Sequence, residues 1–232
     1  MIDFIFSNFL NLLIGFPSQR PGGLLLSIWL AILGVGFGFV LGSLLALGSI
    51  AKWRLLRWFS QLFVNLMRGL PLILLLVLIH TAGGRLGLNF PARRSAVIAL
   101  ALFSGAYQSE IIRAGLQAVP KQLLETSRML GNSQSRTLLF VWLPHAVRLM
   151  APALTNQSIS LFKDTSVVII LGVAELMTTA RIALGSDINN APYWVALYLT
   201  VGGLYFTVAF LLSRYVQRWE NEYQIVSIQQ GM

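Results

Sequence analysis

Apolar residues in this chain gather in long runs, and polar residues mark the ends of those runs instead of alternating with them. Residues 21–51 carry no charged side chain, and within them Gly23–Ile50 is long enough for a tilted membrane helix, for which about 20 residues suffice. Residues 59–82 are apolar except for Arg68. Residues 95–109 are free of charge and continue past Glu110 toward Gln117. Residues 149–162 are free of charge, are interrupted by Lys163-Asp164 and resume over 165–174. Residues 188–213 are again free of charge. The pattern predicts five spans, of which the third and fourth are interrupted by ionisable groups.

Two shorter features complete the pattern. The apolar run at 4–16 is too short to span a bilayer and predicts an interfacial helix. It lacks a basic leading region and a small-residue cleavage site, so no signal peptide is expected and the first full span directs insertion. In that span Gly34, Gly38, Gly42 and Ala46 recur every four residues. The stripe either lets another backbone approach closely or reflects the general abundance of glycine in membrane helices; both readings have the helix packing on a second one.

Between Gly115 and Pro144 the apolar run breaks into helical periodicity. Pro120 suits a first helical turn, and Leu123, Leu124, Ser127 and Leu130 share helical spacing. Gly131 stands where a C-terminal cap belongs, and Ser133 can cap a second helix. Leu138, Leu139, Val141 and Trp142 form the apolar face of that helix, which Pro144 is expected to end. The unit is a short helix–glycine–helix hairpin, either docking a partner or lying on the membrane.

Composition narrows the class. Of 232 residues, 56% are hydrophobic and only 11% charged, and the mean hydropathy is +0.72. Soluble domains hold about 25% charged residues, so a soluble globule and a disordered scaffold are both excluded. The net charge of +9 has two explanations, nucleic acid or the basic bias of cytoplasmic loops. Position decides between them. With the N-terminus outside, the inner loops hold ten basic residues (Lys52, Arg54, Arg57, Arg113, Lys121, Arg128, Arg136, Arg148, Arg214 and Arg218) against five outside. That predicts an N-out, C-in polytopic all-α protein, with membrane lipid around it and no nucleic-acid partner. The absence of Cys removes disulfides and thiolate chemistry.

The hairpin also carries a resemblance. Glu125-Thr126-Ser127, Gly131 and Val141-Trp142-Leu143-Pro144 resemble the EAA–x3–G–x9–I–x–LP signature of permease subunits of ABC importers. Around it lie Arg68-Gly69-Leu70-Pro71, Ser104-Gly105-Ala106-Tyr107 with Glu110-Ile111-Ile112-Arg113, and Lys163-Asp164-Thr165-Ser166. These are similar to the R-G-T-P, S-G-A-Y-x-x-E-I-x-R and K-D-T-S motifs of the polar amino acid branch, with Leu70 departing from Thr. The likeness runs over 23–219. It implies a type I importer fold in a bacterial plasma (inner) membrane. It also implies a second permease subunit, identical or paralogous, two cytoplasmic ATPase subunits and an extracytoplasmic amino acid-binding protein. Glu125, Thr126, Ser127 and Gly131 would then couple to the ATPase. The division implied is an extracytoplasmic segment 1–22, a transmembrane domain 23–219 with its hairpin at about 120–144, and a cytoplasmic tail 220–232.

The residues agree independently that ATP chemistry lies elsewhere. No G-x-x-x-x-G-K-[ST] is present and none of the three lysines follows a glycine, so the chain builds no P-loop. No cofactor or metal is expected on it; ATP and Mg would be used by the partner.

Ionisable groups inside spans are functional candidates, because a charge at mid-bilayer costs roughly 2.5–3.5 kcal/mol. Lys163 and Asp164 point about 100° apart on a helix and are poorly placed to pair with each other. Asp164, with Lys163, Asn156 and Thr165, either offers polar contacts to a zwitterionic amino acid or stiffens the bundle. Arg68 and Glu110 are assigned structural roles, with Arg68 snorkelling or pairing with Glu110. Glu175 is expected to be an interfacial cap. His80 and His145 are expected to be structural, and the tryptophans an interfacial belt. Two other classes make different demands on the residues. An intramembrane enzyme would need a nucleophile–base set that is missing, and an ion-coupled carrier or channel is the remaining alternative.

Overall fold

A computed structural model describes residues 2–85, 87, 88 and 90–229, with side chains to Gln217. Among the described residues there is no β-strand, only an isolated bridge between Gly23 and Glu175. The helices are α1 (Ile2–Ile14), α2 (Gly23–Ile50), α3 (Arg54–Gly69), α4 (Leu72–Arg85), α5 (Ala92–Ala118), α6 (Lys121–Met129), α7 (Gln134–Thr137), α8 (Leu143–Asp164), α9 (Leu176–Gly185) and α10 (Trp194–Gln229). Among the described residues four helical segments are long and apolar enough to cross a membrane (Gly23–Ile50, Ala92–Ala118, Gln134–Leu171 and Ile188–Gln217), and α3 with α4 makes a fifth if the bent pair is one span.

α2 and α5 form the centre of the bundle, and the glycine stripe lies between them. Gly34, Gly38, Gly42 and Ala46 are all buried. A Cβ on Gly38 would stand 2.9 Å from the Ser104 Cβ, and one on Gly42 would stand 2.8 Å from the Gly105 carbonyl oxygen. Close approach is therefore the reason for glycine here. Across the same seam the buried Gln108 amide donates to the Val35 carbonyl at 3.2 Å, and within α5 it donates to Ser104 Oγ at 2.6 Å.

Apolar clusters fill the bundle on either side of this pair. Leu26, Leu30, Leu75, Leu76, Leu100 and Leu161 gather beside it. Ala46, Ile112, Leu116, Ala146 and Met150 close the end that carries the hairpin. At the opposite end α1 packs through Leu12 against Leu176, Ala180 and Leu197. The exposed face of α1 carries Ile2, Phe6, Phe9 and Leu10, the pattern of a helix lying in an interface. The turn after α1 folds back on itself, with Gly22 N–H donating to the Ile14 carbonyl and Gly23 N–H to the Ala174 carbonyl.

Three expectations are corrected. The second span is not one helix over 59–82: it breaks at 69–71 and bends by 109°. Pro71 supplies no N–H and disfavours the helical conformation at Leu70, which is extended at φ −91°, ψ 136°. Pro144 does not end the second hairpin helix. A π-helical turn over Leu138–Trp142 joins α7 to α8 without a gap, with Leu143 N–H donating to the Leu138 carbonyl. Wider i→i+5 bonding accommodates the ring at the start of α8. Pro120 sits one residue before α6, as its N-cap. At the C-terminus α10 runs as one helix through the expected boundary at 219 to Gln229. The side chains of Arg218 and Trp219 and all of residues 230–232 lie outside the described residues.

Candidate functional site

The hairpin is rigid at its tip. Gly131 N–H donates to the Arg128 carbonyl at 3.0 Å, and Asn132 N–H to the Ser127 carbonyl at 3.3 Å. This is the Schellman arrangement, and it needs a left-handed residue after the C-cap; Gly131 has φ +83°. Ser127 and Thr137 join the two arms by a buried hydroxyl contact of 3.0 Å, and Asn132 Nδ2 donates to Ser127 Oγ. Ser133 caps α7, accepting from Arg136 N–H. At the hairpin's base Trp142 Nε1 donates to the Leu116 carbonyl at 3.2 Å. Of the four predicted coupling residues, Ser127 is buried, while Glu125, Thr126 and Gly131 are exposed. Beside them Met129 is 86% and Leu130 78% exposed. An ordered tip that presents bare apolar side chains is suited to insertion into a protein groove.

The fourth span brings some of its predicted residues together and separates others. Asn156 and Lys163 are both exposed and lie seven residues apart on α8, on one face. Ser160 is exposed between them and extends the polar stripe; the sequence reading missed it, although its spacing was available. Asp164 is half-buried and does not pair with Lys163. Thr165 turns away from the stripe. It is fully buried and donates to the Phe162 carbonyl at 2.7 Å.

Arg68 and Glu110 do not hydrogen-bond to each other. Glu110 is taken by Arg113, one helical turn on, whose Nη2 stands 2.7 Å from Glu110 Oε2 and whose Nε donates to both carboxylate oxygens. Arg113 Nη1 also donates to Gln117 at 2.8 Å. The Arg68 guanidinium lies over the Tyr107 ring, 5.5 Å from its centre. His80 holds Ser95 Oγ at 3.0 Å across α4 and α5, a packing contact. Among the described residues no group of three or more His, Cys, Asp or Glu side chains could hold a metal ion.

Glu175 is the largest surprise. It caps α9, as expected of its position, but it is fully buried instead of interfacial. Its carboxylate accepts from Met177 N–H at 2.8 Å, Thr178 N–H at 2.7 Å, Thr178 Oγ1 at 3.0 Å and the Tyr205 hydroxyl of α10 at 3.0 Å. The adjoining Leu176 N–H donates to Ser27 of α2. The carboxylate thus ties α9 to α10, and the adjoining Leu176 N–H ties α9 to α2. Burial pushes its pKa up, against the opposing pull of these four donors. A Glu175→Ala variant is expected to lose the cap and the acceptor of the Tyr205 hydroxyl, which keeps only its contacts to Ser27 and Thr165, lowering stability by about 2 kcal/mol, read as a lower thermal midpoint in detergent. A raised carboxyl pKa favours the folded state below the unfolded value and loses that advantage as pH rises through the folded one. The midpoint of the native chain relative to Glu175→Gln should therefore be most favourable at acid pH and fall as pH rises.

Comparison with known proteins places these features in a family. The description "Binding-protein-dependent transport system inner membrane component" matches residues 38–221. The L-cystine transport system permease protein TcyB of Bacillus subtilis (strain 168) is 38% identical over 192 residues, 83% of this chain and 81% of that protein. The probable glutamine ABC transporter permease protein GlnP of the same organism is 32% identical over 198 residues, 85% of this chain and 90% of that one. A crystal structure of an amino acid ABC transporter with histidines superposes with a TM-score of 0.83 at 29% identity, covering 96% of this chain and 99% of that one.

Proposed function

The chain belongs to the family of binding-protein-dependent transport system inner membrane components, and on that premise we propose that it is the route-forming permease subunit of an ATP-driven importer of polar amino acids. It is a multi-pass protein of a bacterial inner membrane. Its partners in this reading are a second permease subunit, two cytoplasmic ATPase subunits and an external binding protein that delivers the solute. The amino acid class rests on what the related permeases carry, cystine and glutamine among them. The observation that carries the coupling role is the hairpin, an ordered tip with Met129 and Leu130 bare beside Glu125 and Gly131. ATP hydrolysis takes place on the partner, and the hairpin transmits it.

The polar stripe Asn156–Ser160–Lys163, with Asp164 beside it, is the proposed contact for the zwitterion in transit. Thr165 supports it from behind through the Phe162 carbonyl. In proteoliposomes holding the permease, its ATPase and its binding protein, uptake should require ATP. Uptake that persists without the ATPase would instead mark an ion-coupled carrier. An Asp164→Asn variant should shift affinity, selectivity or rate of uptake while the complex still assembles, and unchanged transport would remove Asp164 from the route.

A further inference from the structure

The turn between α2 and α3 is a charged corner flanked by tryptophan. Lys52 and Arg54 are exposed and form no hydrogen bond or ion pair among the described residues. Arg57 turns back and fixes the corner: its Nη2 donates to the Ala51 carbonyl at 2.8 Å and its Nε to the same oxygen at 3.3 Å. Ala51 N–H in turn donates to the Gly48 carbonyl. Trp53 is 80% and Trp58 55% exposed, with Leu55 and Leu56 bare between them. No acidic residue occurs in the sequence between Asp3 and Glu110, and Glu110 is taken by Arg113.

Depth decides what such a corner meets. α2 is 28 residues long, about 42 Å at 1.5 Å per residue, which matches a bilayer with its headgroups at about 40–45 Å. The corner after it therefore stands at headgroup level. It stands on the hairpin side, because Ile50, at the end of α2, packs on the same apolar cluster as Leu124 of α6 and Trp142 at the hairpin's base. Exposed tryptophan at that depth is an interfacial anchor. Lysine and arginine there lay their aliphatic stems on apolar surface and keep their charge among phosphates. Uncompensated charge on an ordered turn, bracketed by bare aromatic rings, is complementary to an anionic lipid surface.

We propose that the α2–α3 corner is a binding site for the headgroup of an anionic phospholipid in the leaflet on the hairpin side. Lys52 and Arg54 take the phosphate, Trp53 and Trp58 bracket the headgroup, and Leu55 and Leu56 meet the upper acyl chain. A zwitterionic lipid carries the same phosphate, but its ammonium cancels the attraction, so the discrimination comes from net charge. Each basic residue at the surface contributes about a fivefold preference for anionic lipid at low salt. The site ties the start of α3 to the bilayer, and it stands whatever solute the transporter carries.

The test uses the full permease–ATPase complex in phosphatidylcholine nanodiscs, with phosphatidylglycerol that carries a photoreactive headgroup as the probe and mass spectrometry to locate the label. Label is expected on the segment 52–58, displaced by unlabelled phosphatidylglycerol and not by phosphatidylcholine. The double variant Lys52→Gln/Arg54→Gln should lower that label about tenfold or more. Arg85→Gln/Arg94→Gln, which removes as much charge at the opposite end of the bundle, should leave it unchanged. The charge-preserving pair Lys52→Arg/Arg54→Lys should keep it. Replacing phosphatidylcholine by phosphatidylglycerol should also raise the thermal midpoint of the native complex, and raise that of the glutamine pair less. Equal displacement by both lipids, or label indifferent to the glutamine pair, overturns the proposal. Loss of label in the charge-preserving pair overturns it too, because the corner's shape and not its charge would then be at work. Label that appears only after the ATPase is removed would give the corner to that partner and equally overturn it.

Discussion

A Gly42→Leu variant is expected to fail to accumulate as a folded membrane protein. The position a Cβ would take is 2.8 Å from the Gly105 carbonyl oxygen, 3.0 Å from the Ser109 nitrogen and 3.1 Å from the Gln108 Cβ. Two of these are backbone atoms of α5, which no rotamer change can move. Overpacking costs about 1–3 kcal/mol where side chains can yield, and roughly the upper end or beyond where they cannot. A loss of that size lowers the thermal midpoint of a chain this long by about 6–12 °C. Gly36→Leu is the control. It makes the same chemical change on the same helix, but nothing lies within 4 Å of a Gly36 Cβ. That variant should stay within about 0.5 kcal/mol of the native chain. Equal behaviour of the two variants would show that the α2–α5 seam does not depend on close approach.

Substitution at Gly131 should separate insertion from transport. Its φ of +83° lies in the left-handed region, and nothing stands within 4 Å of where its Cβ would be. The constraint is therefore conformational, not spatial. Gly131→Ala carries a strain of about 1–2 kcal/mol. The chain can relieve it only by unwinding the last turn of α6 and giving up the bonds to the Arg128 and Ser127 carbonyls. The bundle should fold and insert normally, because the tip contributes nothing to the apolar clusters around α2 and α5. ATP-driven uptake should fall about tenfold or more, since a coupling contact of 1.4 kcal/mol or larger is lost. Gly131→Asn, which tolerates left-handed backbone, should fall between the native chain and Gly131→Ala. Normal uptake by the alanine variant would detach the hairpin from coupling.

What could be read from the sequence was whatever depends on local periodicity. Charge-free runs located the membrane-crossing helices, the four-residue glycine spacing identified the buried face of α2, and Gly131 with Ser133 marked the turn and the second cap. Features that depend on distant partners stayed hidden. Glu175 looked like a surface cap, because the Tyr205 hydroxyl and Ser27 that enclose it lie 30 residues after and 148 before it. The break at 69–71 had a visible cause in Pro71, but a proline in a membrane helix can be accommodated by its neighbours, so the 109° bend was not determined locally. The π-helical turn has no propensity signature of its own. The Glu110–Arg113 pair is different: its i, i+3 spacing was readable, and offering Arg68 as a possible partner of Glu110 overlooked the nearer residue.

The joint between hairpin and membrane helix has a mechanical meaning. Because the turn over Leu138–Trp142 keeps α7 and α8 continuous, no loop stands between the tip and the bilayer to absorb a push. From Trp142 to Lys163 the helix is about 32 Å long at 1.5 Å per residue, with Pro152 inside it removing one backbone hydrogen bond midway. Pivoting near Trp142, a tilt of only about 5° at the hairpin would carry Lys163 sideways by about 3 Å, the length of one hydrogen bond. In the proposed importer a stroke delivered at the hairpin would act on a lever, and the wide turn at its fulcrum lets Pro144 sit there without breaking the arm.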